Sequence, residues 1–351
     1  MPGTTYKIKF GRNEKALVVS DIHLRLPITP ELAMIQKSLV ERVDNLNKHK
    51  EATLILNGDI FELWEKPVQD VEDIILGFEA LTKSIEKFAS KKSHRVVFTV
   101  GNHDEAINTN SSYKKALQKL WGAKVCNSID LSLEGQKVRI EHGHEFDPYN
   151  QTTTEAGKTH GKSLVQSTLP RLVKAVPMVF SGIGDVVNRA ELPCYAISRL
   201  IYKIVVPIVL PLSLVASIYF LYSTGDRRWL WAFCLVWLAV WALVIVLDWV
   251  LESIADLTFG GGSKYLKKLD EYQKQKGFDL LVLGHTHLGG VWKREGYSYA
   301  NSGCNDVIVK SRYGYLGIYK FPRFVQMSGI NLDGSKKDLA KYEEKIVSLV
   351  K

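Results

Sequence analysis

Two histidines one residue apart, His285 and His287, close the apolar run Leu280-Leu281-Val282-Leu283. On an extended backbone they point to the same side, so at the mouth of a buried strand they can converge on a metal ion. Taken alone, the pair also fits an ordinary polar loop. Four earlier apolar runs end in the same kind of residue: Asp21-Ile22-His23, Gly58-Asp59, Gly101-Asn102-His103-Asp104 and His142-Gly143-His144. Together Asp21, His23, Asp59, Asn102, His142, His285 and His287 offer two carboxylates, one amide oxygen and four imidazoles, with no thiolate. That mixture suits a pair of first-row ions, Mn²⁺ foremost with Fe or Zn²⁺ as alternatives, better than Mg²⁺, which prefers an all-oxygen shell. Seven side chains are too few for two closed sites unless one is shared. Asp59, leaving a central strand, is the natural bridge. Two ions about 3.5–4 Å apart can clamp a phosphoryl group and activate a hydroxide for in-line attack.

The elements that must position these residues alternate. Ala16–Ser20, Thr53–Leu56, Arg95–Val100 and the run before His285 read as buried strands. Between them, 30–50 carries Leu32, Ile35, Leu39, Val43 and Leu46 at near-helical spacing, and 70–91 reads as helical. Strand and helix in alternation, with polar residues at each strand's carboxyl end, is the α/β layout that gathers a site on one rim of a sheet. Residues 129–133 and 137–140 flank Glu134-Gly135-Gln136 as a hairpin. A polar helix reaches about 276, and the tail from about 335 to 351 reads as a charged amphipathic helix.

The net charge of +9 fits either a nucleic-acid partner or an anionic membrane surface. No basic stripe with interleaved aromatics is present, so nucleic acid is not expected. Cys126, Cys194, Cys234 and Cys304 are far apart and form no C-x-x-C pair, which fits a reducing compartment and argues against a disulfide framework. Cys304 reads as structural. The amino-terminal residues contain no apolar stretch of a secretory signal.

Residues 149–263 interrupt the α/β pattern. Within them 204–225 carries no charge, nor does 229–247, and only Asp226-Arg227-Arg228 separates the two runs. Each exceeds the roughly 18 apolar residues that mark a membrane-span candidate, and Trp229, Trp231, Trp237, Trp241 and Trp249 suit a membrane interface. The expectation is a transmembrane hairpin at about 204–225 and 229–250, partnered by the lipid bilayer. Without an export signal, both flanks fall on the cytoplasmic side of the cell (inner) membrane. Residues 164–202 read as helical cap material. Gly157-Lys158-Thr159-His160-Gly161-Lys162-Ser163 is one residue short of a nucleotide-binding P-loop and follows no apolar strand. Its closeness to the His142 block makes Lys158, His160 and Lys162 candidates for touching a substrate phosphate. His144 is read as a neighbour of the site or a substrate contact.

The five blocks, in this order, resemble the calcineurin-like metallophosphoesterase superfamily. The resemblance covers the α/β portions and not the insertion. It implies a four-layer β-sandwich flanked by helices, divided as 1–148, an inserted helical cap at 149–263, and 264–351. It further implies that Asp21, His23, Asp59 and His287 hold a first divalent ion, and Asp59, Asn102, His142 and His285 a second. His103 would contact the phosphoryl oxygen or protonate the leaving group, oriented by Asp104. Within the superfamily, the UDP-2,3-diacylglucosamine pyrophosphohydrolases resemble this plan, with a hydrophobic helical cap in the same interval. This chain departs from them in a longer cap and in His103, where that branch tends to have arginine. The expected activity is hydrolysis of a phosphoester or pyrophosphate in a lipid-linked substrate. A tethered phosphoesterase for soluble phosphoesters or nucleotides is the runner-up, and a metal-free scaffold is disfavoured by the complete ligand set.

Overall fold

The computed structural model describes residues 4–10, 14–64, 67–133, 135–147, 208, 210–255, 263–286, 290–303, 307–312, 315–320, 323–328, 340–344 and 347–348. In chain order, β1 (Thr5–Lys9) and β2 (Lys15–Val19) precede α1 (Pro30–Leu46), β3 (Ala52–Asn57), α2 (Val71–Gly77), α3 (Glu79–Ala89) and β4 (His94–Thr99). Then come α4 (Ala106–Thr109), α5 (Ser111–Trp121), β5 (Ala123–Cys126), β6 (Ser128–Leu133) and β7 (Gln136–Glu141). A helical pair follows, α6 (Leu210–Thr224) and α7 (Arg228–Ala255), and then α8 (Ser263–Lys276), β8 (Leu280–Leu283), β9 (Gly290–Arg294) and β10 (Tyr297–Asn301). The remaining strands are β11 (Val307–Arg312), β12 (Tyr315–Lys320), β13 (Arg323–Ser328), β14 (Ala340–Glu344) and β15 (Val347–Ser348).

Two six-stranded sheets, ordered β1-β6-β7-β8-β10-β9 and β14-β13-β2-β3-β4-β5, form the inner layers of a mixed α/β sandwich. The central strands carry the apolar runs Ala16–Val19, Leu54–Leu56 and Val96–Phe98 because each face meets a different core. Strand side chains alternate between faces. Leu17, Val19, Leu54, Leu56, Val96 and Phe98 pack toward the helices, whereas Ala16, Val18, Ile55 and Val97 join a second cluster. That second cluster includes Ile129, Leu131, Val138, Ile140, Leu280 and Val282 from the other sheet, so it is the filling between the two sheets. Sheets covered on both faces read as continuous apolar runs. β2, β3, β4 and β5 pair in parallel, as do β7 and β8, so their carboxyl ends share a rim.

Helix α1 starts where Thr29 accepts the Leu32 N–H and Pro30 occupies the first turn. Its Leu32, Ile35, Leu39, Val43 and Leu46 are all buried in the helix-side core, as their spacing predicts. The expected single helix over 70–91 is broken at Phe78, which leaves helical geometry to bury its ring. The tail is not a helix where it is described. Ala340–Glu344 instead pairs antiparallel with β13, which is itself antiparallel to β2.

The chain divides into two compact units. One holds Met1–Gln166, Ser263–Asp306 and Lys320–Val347, and the other Ser167–Gly262, Val307–Tyr319 and Ser348–Lys351. The second unit contains α6 and α7, joined through Gly225 and an Asp226 that accepts the Arg228 N–H. Phe220 and Trp229 stack across the turn with ring centres 4.4 Å apart. The transmembrane hairpin expected at 204–225 and 229–250 is not borne out: among the described residues, no helix is long and apolar enough to cross a membrane. As described, α6 covers Leu210–Thr224, and its 15 residues rise about 22 Å, short of a hydrocarbon core of about 30 Å. Helix α7 takes in Arg228, Asp248 and Glu252 along with its apolar stretch. Residues 164–202, expected as helical cap, lie outside the described residues.

Candidate metal centre

Five strand ends build the site. β2 hands on Asp21 and His23, β3 Asp59, β4 Asn102 and His103, β7 His142, and β8 His285. The chain turns sharply at each exit. Asp21, His23, Asp59 and His285 all have positive φ, between 51° and 67°, and they are the four non-glycine residues in that region among those described. Such conformations cost on the order of 1–3 kcal/mol each and gather at functional sites. Here they are held by crossing hydrogen bonds. Asp21 N–H donates to Gly58 O (3.0 Å), Ile22 and His23 N–H to Asp59 O (2.9 and 3.0 Å), and Gly284 N–H to His142 O (3.0 Å). His285 N–H reaches the Asp21 carboxylate at 3.1 Å. Asn301 Nδ2 fixes the last turn by donating to Gly284 O at 2.6 Å.

Asp59 lies at the centre. A carboxylate oxygen of Asp59 lies within 4.8 Å of a ligand atom each of Asp21 and His23, and likewise of a ring nitrogen each of His142 and His285. Two donor groups therefore share one carboxylate. The donor chemistry fits divalent ions. His142 Nδ1 is 3.0 Å from Asn57 O and must donate there. Its Nε2 then faces Asp59 Oδ2 at 3.1 Å and Asp21 Oδ1 at 4.0 Å, lone pair toward lone pair, unless a cation lies between them. The electrostatics agree. Burial would lower His142, but Asp59 and Asp21 push it up to about 9. Burial would likewise raise Asp59, but His142, His103 and His23 hold it well below the usual carboxylate range. A proton supplies the missing positive charge when nothing else does, and a metal ion would take its place.

Behind the first donor group sits a residue that the strand-end pattern does not reveal. Glu62 accepts from His23 Nδ1 at 3.1 Å and from His103 Nδ1 at 2.8 Å, and Trp64 N–H steadies its other oxygen at 3.0 Å. Burial favours a neutral Glu62, yet His103 and His23 keep it ionised. With Nδ1–H committed to Glu62, the proton-exchanging atom of His103 is Nε2. Trp64 stacks on the same ring, 4.0 Å between centres and 21° from parallel, and His23 meets it edge-on at 4.7 Å. The only signal in the sequence was a carboxylate three residues beyond Asp59, without periodicity to mark it.

The expected role of Asp104 needs correction. It does not orient His103. Its two oxygens accept the backbone N–H groups of Ile60 (3.1 Å) and Phe61 (2.9 Å), pinning the loop that carries Glu62. Burial and the nearby Asp59 raise its carboxyl to about 7. His144 lies at the edge of the centre, 5.5 Å from the His142 ring and 6.3 Å from that of His285, with Nε2 3.3 Å from Glu145. Asn102 Oδ1 is 3.1 Å from His285 Nδ1. His287, Lys158, His160 and Lys162 lie outside the described residues, as does Cys304.

Residues 15–171 match the family described as calcineurin-like phosphoesterase. No curated protein matches the sequence. Among solved structures, an archaeal phosphodiesterase shares 12% identity over 95% of this chain and 99% of its own, with a TM-score of 0.36. Vps29 from Chaetomium thermophilum shares 8% over 96% and 98%, at 0.33. A predicted phosphoesterase from Streptococcus pneumoniae TIGR4 shares 11% over 94% and 97%, at 0.30. Likenesses at these scores carry no weight for the activity.

Proposed function

We propose that the chain is a metal-dependent phosphoester hydrolase of the calcineurin-like kind that its residues 15–171 match, and that it hydrolyses a phosphoester or pyrophosphate bond of a lipid-linked substrate at the cytoplasmic face of the cell membrane. For the chemistry, the supporting observation is the shared carboxylate of Asp59 between two buried donor groups. Asp21, His23 and Asp59 would hold one divalent ion, and Asp59, Asn102, His142 and His285 the other, with Mn²⁺ the first candidate. When bound, such a pair supplies Lewis-acid charge to the phosphoryl oxygens and an activated nucleophile. The protein's own part is to fix the reacting phosphate within reach of His103. Glu62 and Trp64 hold that ring so that Nε2 can give a proton to the departing oxygen.

The lipid-linked substrate is supported by the helical pair α6–α7. Leu212, Val215, Tyr219, Tyr222, Trp231 and Leu238 are exposed on it, Tyr222 at 91% and Trp231 at 70%. Exposed large apolar side chains in this number suit a partner that is itself apolar, and aromatic and aliphatic side chains together suit the boundary between headgroups and acyl chains. An acylated UDP-sugar pyrophosphate is the best specific candidate.

The test is product release by full-length, Mn²⁺-loaded protein in detergent micelles. The substrates are an acylated UDP-sugar, a phospholipid monoester and a soluble phosphodiester, with Asp59→Asn as the blank. Preference for either lipid of tenfold or more is expected, and the product identifies the bond cut. Equal or faster turnover of the soluble ester would overturn the lipid-linked reading, and full activity in Asp59→Asn would overturn the two-metal centre.

A further inference from the structure

The His285 ring is gripped at both nitrogens. Nδ1 lies 3.1 Å from Asn102 Oδ1, and Nε2 lies 3.0 Å from Asp147 Oδ2. A neutral imidazole carries one N–H, and an ionised carboxylate can only accept. The proton therefore belongs on Nε2, and Nδ1 turns its lone pair toward the Asn102 oxygen. Two acceptors that close are stable when a cation joins them. Both His285 and Asp147 keep only 9% of their side-chain surface exposed, so the contact is shielded from water.

Asp147 reaches this place by local geometry. It follows the single 3₁₀ turn His144–Phe146 that leaves β7, and its N–H donates to His144 O at 3.1 Å. One strand exit thus delivers His142 to the donor group and, five residues later, a carboxylate behind a different member of the same group. His285 needs such a hold. It is in the left-handed region, φ 67°, on a turn anchored by its N–H to Asp21, and its ring could otherwise swing about χ1 and χ2.

We propose that Asp147 is a positioning residue for the second metal ion: by accepting the Nε2 proton of His285 it fixes the tautomer and aims Nδ1 at the position shared with Asp59, Asn102 and His142. The proposal rests on the two-metal reading above. Carboxylates behind ligating histidines typically contribute about 10–100-fold in metal affinity.

The experiment is titration calorimetry with Mn²⁺ on the full chain, comparing wild type, Asp147→Ala and Asp147→Asn, with thermal melts to show that each is folded. Wild type should bind two equivalents. Asp147→Ala should keep one and bind the second about 10–100-fold more weakly. Asp147→Asn, which retains an acceptor oxygen but no charge, should fall between. Turnover of a soluble phosphodiester by Asp147→Ala should recover as Mn²⁺ is raised, at little changed KM. Two equivalents bound by Asp147→Ala with wild-type affinity would overturn the proposal. So would a raised KM with unaltered metal binding, which would make Asp147 a substrate contact. Fewer than two equivalents in wild type would overturn the two-metal reading itself, and this inference with it.

Discussion

Glu62 serves two histidines with one carboxylate, and that sharing separates the consequences of removing each partner. His103→Ala takes away a proton donor but no ligand, so turnover should fall about 10²–10⁴-fold while metal analysis still finds two ions per chain. Glu62→Ala releases both rings at once. It should lower turnover comparably and also weaken the first ion, because His23 loses the acceptor that fixes its Nδ1–H. Metal content after gel filtration distinguishes the two; metal loss in His103→Ala would place that ring among the ligands. The candidate ligands were legible because each follows an apolar run, where a lone carboxylate or imidazole has no place in a core. Glu62 was not, because it lies on a loop and owes its place to the path of the chain after Asp59. The misreading of Asp104 has the same origin. Neighbours in sequence need not face one another, and here His103 and Asp104 turn to opposite duties, one toward Glu62 and one toward the Ile60 and Phe61 amides.

At the level of elements, the strands and first helix could be read from the sequence because burial on two sides leaves an unambiguous pattern. Leu54 and Leu56 face one core and Ile55 the other, and a run with no polar interruption has no other stable use here. The tail was misread because its residues are good helix formers, and intrinsic propensity yields to the backbone pairing that β13 offers Ala340–Glu344. The strand exits show the opposite case, where a residue type is dictated by close approach. A Cβ on Gly101 would fall on the carboxylate and backbone nitrogen of Asp59, and neither can retreat while Asp59 also binds His103 N–H at 2.8 Å. Gly101→Ala should therefore destabilise the fold by about 1–3 kcal/mol and lower metal content, because it displaces the shared ligand. Urea unfolding of metal-free protein reads the first effect and metal analysis the second. Wild-type values in both would mean that the β4 exit can relax without moving Asp59.

For the whole molecule, the catalytic unit and the helical pair make separate demands on the sequence. The first spends most of its apolar residues on three buried clusters, whereas the second leaves Trp231, Leu235 and Leu238 on its surface. The sequence showed the insertion clearly, but a charge-free run from 204 to 225 does not by itself fix a spanning helix, and the described part of α6 covers Leu210–Thr224. An apolar surface on helices that do not span can still enter the headgroup region. Burying one large apolar side chain there is worth about 1.5–3 kcal/mol, so two substitutions at the centre of the patch should be decisive. Trp231→Asp with Leu235→Asp in the full chain should reduce flotation with vesicles of mixed neutral and anionic phospholipid by tenfold or more. The same variant should lose its preference for lipid over soluble ester, with circular dichroism and metal content reporting an intact fold. Unchanged flotation would move any membrane contact away from α6 and α7. Reduced flotation with the lipid preference retained would make the helical pair an anchor, with substrate selection residing around the metal centre.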